Sequence, residues 1–379
     1  MTLVLNEEQL MLRESAAGFL AEKAGVAQLR ALRDSGDPQA FDSSVWQEII
    51  EMGWAGIAIP EAYGGLGYGY TGLGVVLEQA GRHLSASPLE ASVLVGATAV
   101  LNLGNETQKS AYLPLIAAGE KQVTLALQDS SQFDPAGCSL NAQVENDGYR
   151  LDGEKRIVLD ALSADAFVVI ARTDGNPGET AGLSAFLVPK DTPGLTIKRC
   201  EMVDSRQVGT LSFDAVSVDA STLMGDSGEA WKGLERTLDI AAIGTAAELL
   251  GLSLEAFERT LTYLKERKQF GQVIGSFQGL QHRAATLFAE LELSKSIVLK
   301  ALQAIDDDAD DLPLLASAAK AKLSEVARTA SNEGVQMHGG IGMTDEYDIG
   351  FFLKRARVLQ HLFGDYYYHL DRFARLGAF

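Results

Sequence analysis

Residues 266–278 read ERKQFGQVIGSFQ, and this stretch combines the residue types that bind a nucleotide. Arg267 carries a fixed positive charge on a planar fork that suits a phosphate group. Phe270 offers a flat face for a base, and Gly271 permits close approach of the backbone. Gln278 can bind a polar edge. The same letters also suit an ordinary helix end, with Lys and Arg in the last turn and Gly as the stop, so the residues alone leave both interpretations open.

A second glycine-rich stretch, QMHGGIGMTDEY, occupies residues 336–347. Three glycines in four positions predict a turn whose backbone N–H groups can cradle an anion. A plain helix–helix turn fits the same pattern. His338, directly before the glycines, suits a helix cap as well as it suits a ligand contact.

The composition limits the possible partners. The chain has 379 residues, with 32 Lys and Arg against 51 Asp and Glu, which gives a formal net charge of −19. Such a surface repels phosphate backbones and anionic lipid, so we expect no nucleic-acid partner. The length favours two or three packed subdomains over one small core.

Cysteine and histidine usage favours a metal-free protein of a reducing compartment. Cys138 and Cys200 lie far apart, and the five histidines show no metal-ligand spacing. The N-terminal stretch lacks the basic region of a signal peptide. No unbroken apolar run reaches about 18 residues, so we expect no membrane span and a cytoplasmic location.

The hydrophobic period changes twice along the chain, which predicts an α+β protein. Residues 1–120 read as an N-terminal helical domain, residues 121–225 as a middle β-domain, and residues 226–379 as a C-terminal helical domain. The hydrophobic pattern of the C-terminal domain predicts four long helices, over 230–270, 277–305, 313–338 and 350–375.

Taken together, these stretches resemble the acyl-CoA dehydrogenase family over essentially the whole chain. Besides the two motifs above, the resemblance is carried by WQEIIEMGWAGIAIPEAYGGLGYGY (46–70), NETQKSAYLPLIAAGE (105–120) and FDAVSVDASTLMG (213–225). It implies an N-terminal helical domain, a middle β-barrel and a C-terminal four-helix bundle. It also implies FAD at a dimer interface within a tetramer, with an electron-transfer flavoprotein as acceptor. The cofactor-binding positions it assigns are Arg267, Phe270, Phe277, Gln278, Gln336, His338, Gly339 and Gly340.

The resemblance also implies a glutamate that removes the α-proton of an acyl thioester while the β-hydride passes to the flavin. The family's usual position for this base falls on Phe363, and its second position falls on Ala241. Neither side chain can accept a proton. Asp365 and Glu248 are the fallback candidates. On a helix a two-residue step turns about 200° and would point Asp365 away from the pocket, whereas an irregular segment would leave Asp365 within reach.

The stretches that would face the flavin also depart from the family. LQDSSQFDPAG (127–137) has Gln128 and Asp129 where the family has Thr-Glu. GEKRIVLDAL (153–162) has Ile157 in place of a tryptophan and Leu159 in place of a threonine. Ile157 cannot stack as an indole does, and Leu159 cannot donate a hydrogen bond to the flavin.

The losses fall on positions that the family uses in a subunit's own cleft, whereas the retained residues are those that reach a neighbouring subunit's FAD. We therefore interpret the chain as the glutamate-lacking subunit of a bacterial α2β2 acyl-CoA dehydrogenase acting on steroid fragments or dicarboxylyl-CoAs. Two alternatives stay open. One is a self-sufficient flavoenzyme with Asp365 or Glu248 as its base, and the other is a flavin-free scaffold built on the same fold.

Overall fold

A computed structural model describes residues 3–37 and 39–378 of the chain. Its helices lie mainly before and after a central run of strands. A π-helix, Leu89–Gly96, leads directly into the fifth α-helix. The α-helices are α1 Glu7–Lys23, α2 Val26–Ser35, α3 Ser43–Glu51, α4 Tyr70–His83, α5 Ala97–Leu103, α6 Glu106–Ala117, α7 Trp231–Glu266, α8 Gln278–Asp306, α9 Leu312–His338, α10 Ile349–His361 and α11 Tyr366–Leu376.

Eight strands between the helical parts form one sheet, in the order β6-β7-β3-β2-β4-β5-β8 with β1 pairing β4 in parallel. The strands are β1 Val123–Ala126, β2 Asn141–Glu145, β3 Gly148–Leu159, β4 Ala166–Arg172, β5 Leu183–Pro189, β6 Leu195–Glu201, β7 Gln207–Asp219 and β8 Leu223–Met224, followed by the separate hairpin β9 Lys268–Gln269 and β10 Gln272–Val273. The predicted α+β class, with a sheet between two helical parts, is confirmed.

The chain contains two compact units. A helical unit holds the chain up to Ala31, residues 70–86 and everything from Ala242 onward. A sheet-containing unit holds residues 32–69 and 87–241. Because these units combine separated segments, the division into domains 1–120, 121–225 and 226–379 stays a prediction.

Two glycines allow α4 and α7 to touch through their backbones inside the helical unit. A Cβ atom on Gly251 would lie 1.7 Å from the carbonyl oxygen of Glu78. A Cβ atom on Gly81 would lie 2.1 Å from the carbonyl oxygen of Glu248. Real atoms do not approach so closely, so only glycine fits at either position.

Helix α7 is, among the described residues, the one helix whose length and composition would let it cross a membrane. Its most apolar 18-residue window has a mean hydropathy of 1.5, and 94% of that window is buried inside the structure. Burial of this kind is what a central core helix shows. The sequence has no unbroken apolar run here because Asp239 and Glu248 interrupt it.

The prediction of one helix over 350–375 is wrong, because the chain breaks into α10 and α11. Phe363 and Gly364 lie between them with φ angles of +55° and +101°, in the left-handed region that an α-helix cannot contain. The other three C-terminal helices match their predictions to within a few residues.

The glycine contact between α4 and α7 yields a stability test. We expect Gly251→Ala to lower the free energy of unfolding by about 3 kcal/mol, because the methyl group must push two backbones apart. Urea denaturation followed by circular dichroism measures this loss. Gly18→Ala is the matched control, since a Cβ there meets nothing within 4 Å. Equal stability of Gly251→Ala and the wild type would contradict the close crossing.

Candidate functional site

The predicted nucleotide-binding stretch begins where α7 ends and forms a tight hairpin. Phe270 and Gly271 occupy its two-residue tip, with φ angles of +53° and +78°. Positive φ at both central positions is typical of hairpin turns, but a bulky residue there is strained. The Phe270 side chain is 89% exposed and lies edge-on to Phe277, with 6.2 Å between ring centroids. The hairpin thus presents an aromatic ring to solvent.

Arg267 lies at the base of this hairpin with its side chain exposed. Its backbone N–H donates to the Tyr263 carbonyl at 2.9 Å, and its own carbonyl accepts from Ile274 at 2.8 Å. No acid in the described part of the chain lies within ion-pair distance of its guanidinium. Gln278, also exposed, opens α8. The two interpretations of this stretch are therefore compatible: it is a helix end, and it also leaves a free cation and an aromatic ring in solvent.

The glycine-rich stretch forms the end of α9 and a short 3-10 turn. Gly339 has φ +64°, and a Cβ on either Gly339 or Gly340 would meet nothing within 4 Å. Both glycines are exposed, as is Gln336 in the last turn of α9. The Gly339 N–H donates to the Gln336 carbonyl oxygen, so an anion cradle at these glycines stays a prediction.

His338 is placed differently from its neighbours. It is 3% exposed, and its Nδ1 lies 2.6 Å from the Gly334 carbonyl oxygen and its Nε2 3.2 Å from the Tyr347 hydroxyl. Its ring stacks on Tyr263 at 4.3 Å. Burial lowers the pKa of His338, which favours the neutral ring. In this chain His338 holds the end of α9 against the end of α7, and a contact between its side chain and FAD stays a prediction.

In the sheet-containing unit, the Asp129 carboxylate is bound by neighbouring side-chain and backbone donors. Its carboxylate accepts hydrogen bonds from the Lys155 ammonium, from the Ser139 hydroxyl at 2.9 Å and from the Leu140 N–H at 3.0 Å. Lys155 is fully buried and also donates to the Leu127 carbonyl at 2.8 Å. Burial opposes the charged form of Asp129, but the Lys155 charge and the hydrogen bonds from Lys155 and Ser139 together outweigh it and hold the pKa of the carboxyl below its usual value.

Ile157 has a strained backbone at the position where the resemblance expects tryptophan. Its φ angle is +54°, which is rare for a β-branched residue, and the pairing of β3 with β7 shifts register around it. The N–H of Arg156 donates to the Gln128 carbonyl at 2.6 Å, which fixes this bulge. Leu159, two residues further along the strand, pairs with Val208. The strand thus has a conspicuous bend, but its half-buried side chains here are aliphatic.

The turn at Phe363 is held by buried polar groups. Lys320, fully buried on α9, donates to the carbonyl oxygens of Gln360 at 3.1 Å and Gly364 at 2.8 Å. His369 on α11 is 2% exposed, and its Nε2–H donates to the Phe363 carbonyl oxygen at 2.9 Å. These contacts replace the helical hydrogen bonds that the turn lacks. Sequence analysis missed both residues. The one available signal was a lysine set among the alanines of SAAKAK (317–322).

The structure gives other roles to the two fallback bases. The Glu248 carboxylate accepts from Arg355 Nε at 2.8 Å, and the side chains are 4% and 6% exposed. Asp365 is the N-cap of α11 and accepts from the Tyr368 N–H at 2.9 Å. Ala241, at the second base position, is fully buried. Sequence reasoning assigned Asp365 to a continuous helix, whereas it begins a new one.

Comparison with known proteins defines the class of this chain. Models of the acyl-CoA dehydrogenase N-terminal, middle and C-terminal domains match residues 6–120, 128–216 and 228–376. The chain belongs to the acyl-CoA dehydrogenase family.

Several relatives align along nearly the full chain. The probable acyl-CoA dehydrogenase YngJ of Bacillus subtilis is 33% identical over 368 residues, covering 95% of each chain. Among solved structures, a steroid ACAD variant described as Tcur3481-Tcur3483 is 32% identical, with a TM-score of 0.88 over 100% of this chain and 99% of that one. A chain described as an electron transferring flavoprotein of Acidaminococcus fermentans is 29% identical, with a TM-score of 0.91 over 99% of each chain.

Members of this family bind FAD, and the side chains of this chain fit one part of that cofactor better than the other. In the helical unit, the exposed Arg267 guanidinium, the exposed Phe270 ring and the uncovered backbone at Gly339 and Gly340 fit a nucleotide. In the sheet-containing unit, Ile157 and Leu159 offer the flavin ring neither stacking nor a hydrogen bond. When bound, FAD accepts the electrons of the dehydrogenation.

His369 yields a pH test of the turn at Phe363. Burial, with the Lys320 charge adding to it, lowers the pKa of His369 to about 3. Because the unfolded chain binds this proton near pH 6.5 and the folded chain does not, His369 makes stability fall as the pH drops below 6.5. Between pH 7 and pH 5, we expect the free energy of unfolding to fall by about 2 kcal/mol less in His369→Gln than in the wild type.

Urea titrations at the two pH values measure the effect. The control is His282→Gln, which alters an exposed histidine and should leave the pH dependence as in the wild type. If His369→Gln loses as much stability as the wild type on acidification, His369 is not held neutral by its burial.

Proposed function

We propose that this chain is the subunit of a heteromeric, FAD-dependent acyl-CoA dehydrogenase that lacks a catalytic base of its own and completes the FAD site of a catalytic partner. One observation carries the proposal. Most of the residues that the resemblance assigns to the nucleotide are exposed, whereas both base positions, Phe363 and Ala241, hold side chains that cannot accept a proton. The exposed ones are Arg267, Phe270, Gln278, Gln336, Gly339 and Gly340.

The surroundings of the remaining acids support the absence of a base. A general base needs a carboxylate that is free to reach the substrate proton. Glu248 is buried in an ion pair with Arg355, and Asp365 is engaged at the N-terminus of α11. Freeing Glu248 would leave the Arg355 charge without this partner in a buried position, at a cost of about 3 kcal/mol or more.

The exposed apolar side chains support a second polypeptide. Phe270 is 89% exposed, and Phe288, Ile341 and Met343 of the same unit are 54%, 43% and 78% exposed. Phe270 flanks Arg267. Ile341 follows the exposed pair Gly339–Gly340, and Met343 lies two residues beyond Ile341. Large apolar side chains beside a binding motif indicate a surface that another chain covers.

The nature of the partner follows from the relatives. The name Tcur3481-Tcur3483 joins two polypeptides of a steroid ACAD, which supports a heterotetramer acting on a steroid-derived acyl-CoA. The flavoprotein of Acidaminococcus fermentans supports an electron-transfer flavoprotein as acceptor. We place the complex in the cytoplasm, since Cys138 and Cys200 are both free thiols.

The FAD content of the complex tests whether this chain completes the FAD site of its partner. We expect Arg267→Ala to reduce the FAD content of the purified complex at least tenfold, because a charge-assisted contact to the cofactor phosphate is lost. Absorbance of the released flavin, relative to protein, gives the content. The matched control is Lys265→Ala, which removes an exposed cation two residues away. Unchanged FAD in Arg267→Ala, or a homotetramer with one flavin per chain, would contradict the proposal.

Asp365 separates the proposal from a self-sufficient enzyme. We expect Asp365→Asn to leave the stability of the chain unchanged, because Asn caps helices as well as Asp does. We also expect the rate at which an acyl-CoA reduces the flavin of the complex to stay within twofold of the wild-type rate. Stopped-flow absorbance under anaerobic conditions measures the rate, and circular dichroism the stability. A hundredfold slower reduction with unchanged stability would identify Asp365 as the base.

A further inference from the structure

A cleft of about 850 Å³ lies within the helical unit, where α1 meets α4, α7 and α8. We call it the α1 cleft and define it by six of its lining residues, Arg13, Gly18, Glu78, Leu250, Lys295 and Val298. Its volume is in the range of small-molecule sites. Among the described residues that line it, none is assigned to FAD or to a base position. A molecule bound there would therefore lie apart from the site described above.

The walls of the α1 cleft are mainly apolar. On α1, a Cβ atom added to Gly18 would meet nothing within 4 Å, so this helix leaves the space open. From α7 and α8 the cleft is lined by Leu250 and Val298, which are 2% and 3% exposed. Leu3 and Val4, ahead of α1, extend the apolar lining into solvent, where they are 47% and 67% exposed. A molecule with an apolar body can therefore bury surface here.

The Glu78 carboxylate lies among these apolar residues. It accepts a hydrogen bond from the Gln79 Nε2 at 3.2 Å. Burial raises the pKa of this carboxyl above its usual value, although Arg82, Arg13 and Lys295 oppose the rise. In the part of the chain that the structure describes, no cation lies within ion-pair distance of Glu78. A polar group set in apolar walls is typical of a ligand site.

Two cations line the cleft from different helices, Arg13 from α1 and Lys295 from α8. Both act electrostatically on Glu78, so both charges lie near its carboxylate. The Arg13 side chain is exposed, and its guanidinium forms no ion pair or hydrogen bond with any residue in 3–37 or 39–378. Lys295 contacts Glu292 at 2.6 Å, but such exposed pairs are weak. Both cations are therefore available to an anionic group.

The other charged or titratable side chains of the lining do not offer a rival site. Arg82 donates to Glu258 at 2.9 and 3.0 Å and pairs with Glu255 at 3.4 Å. Burial lowers the pKa of His83, which favours the neutral ring. Glu14 is exposed, so water screens its charge.

We propose that the α1 cleft binds an amphipathic carboxylate, with its apolar body against α1, α7 and α8 and its carboxylate at Arg13 and Lys295. The Arg13 guanidinium supplies a forked donor that matches a carboxylate, and Lys295 supplies a second positive charge. A ligand carboxylate beside Glu78 favours protonation of Glu78, which can then donate a hydrogen bond to the ligand. The inference does not depend on the function proposed above.

Isothermal titration with octanoate tests the proposal on the purified protein, in its complex if it purifies as one. We expect one saturable site whose Kd is about tenfold weaker in Arg13→Ala, because a charge-assisted contact is lost. In Glu78→Gln we expect the Kd to be about threefold tighter, since a like charge is removed. Arg375→Ala is the control, because that arginine is 68% exposed on α11 and pairs with Asp371. Its Kd should equal that of the wild type.

A second variant blocks the cleft without touching its charges. We expect Gly18→Leu to abolish octanoate binding, because the new side chain occupies the space that Gly18 leaves open. The variant should fold like the wild type, since a Cβ there meets nothing within 4 Å and Leu favours a helix more than Gly does. Circular dichroism checks the fold.

Octylammonium and 1-octanol test the head group. Tighter binding of octylammonium than of octanoate, lost in Glu78→Gln, overturns the proposal and assigns the cleft to a cation. Binding of 1-octanol as tight as that of octanoate overturns it as well, because no carboxylate is then required. The proposal also fails if octanoate does not saturate a site, or if its Kd is unchanged in both Arg13→Ala and Gly18→Leu. Loss of a companion polypeptide from Gly18→Leu, with no octanoate binding by the wild type, would instead assign the cleft to a contact between chains.

Discussion

The backbone contact between α4 and α7 is the constraint on which the helical unit depends. Gly81 and Gly251 bring the helices so close that each touches a carbonyl oxygen of the other. The carbonyl that Gly81 meets belongs to Glu248, whose side chain pairs with Arg355 of α10. One residue of α7 therefore takes part in the helix crossing and also orients α10. Since α10 ends two residues before Phe363, the crossing indirectly places the turn where the family keeps its base.

Charged and polar groups near the family's site positions serve the fold in this chain. Asp129 anchors Lys155, Glu248 balances Arg355, and Lys320 holds the turn at Phe363. Burying an unpaired charge costs far more than burying a paired one, so each of these groups is fixed by its partner. A carboxylate fixed in this way cannot also serve as a mobile base. In this structure the ionisable side chains Asp129, Glu248 and Lys320 therefore stabilise the fold.

Local rules predicted the parts of the structure that local chemistry determines. The end of α7 and the turn at Gly339 follow from glycine and from the end of a helical period, whereas the hairpin at Phe270 lies inside the helix predicted over 230–270. The break at Phe363 could not be predicted, because Lys320 and His369 stabilise it from distant helices. His338 illustrates the same limit, since its place is set by Tyr263 and Tyr347 rather than by its neighbouring glycines. The absence of a base stays a proposal, because it rests on the resemblance that aligns the family's base positions with Phe363 and Ala241.

Three bulky residues, Phe270, Ile157 and Phe363, have left-handed backbones at positions that the resemblance assigns to the cofactor or the base. Each conformation costs about 1–3 kcal/mol and persists only where surrounding contacts compensate for it. Phe363 has such contacts in Lys320 and His369, and Ile157 has them in the Arg156–Gln128 hydrogen bond. Phe270 is 89% exposed, and the aromatic contact the structure shows for it is an edge-on approach to Phe277. The paired strands of the hairpin hold its backbone, but its ring stays exposed, as it would if Phe270 packs against a flavin nucleotide held by a second polypeptide.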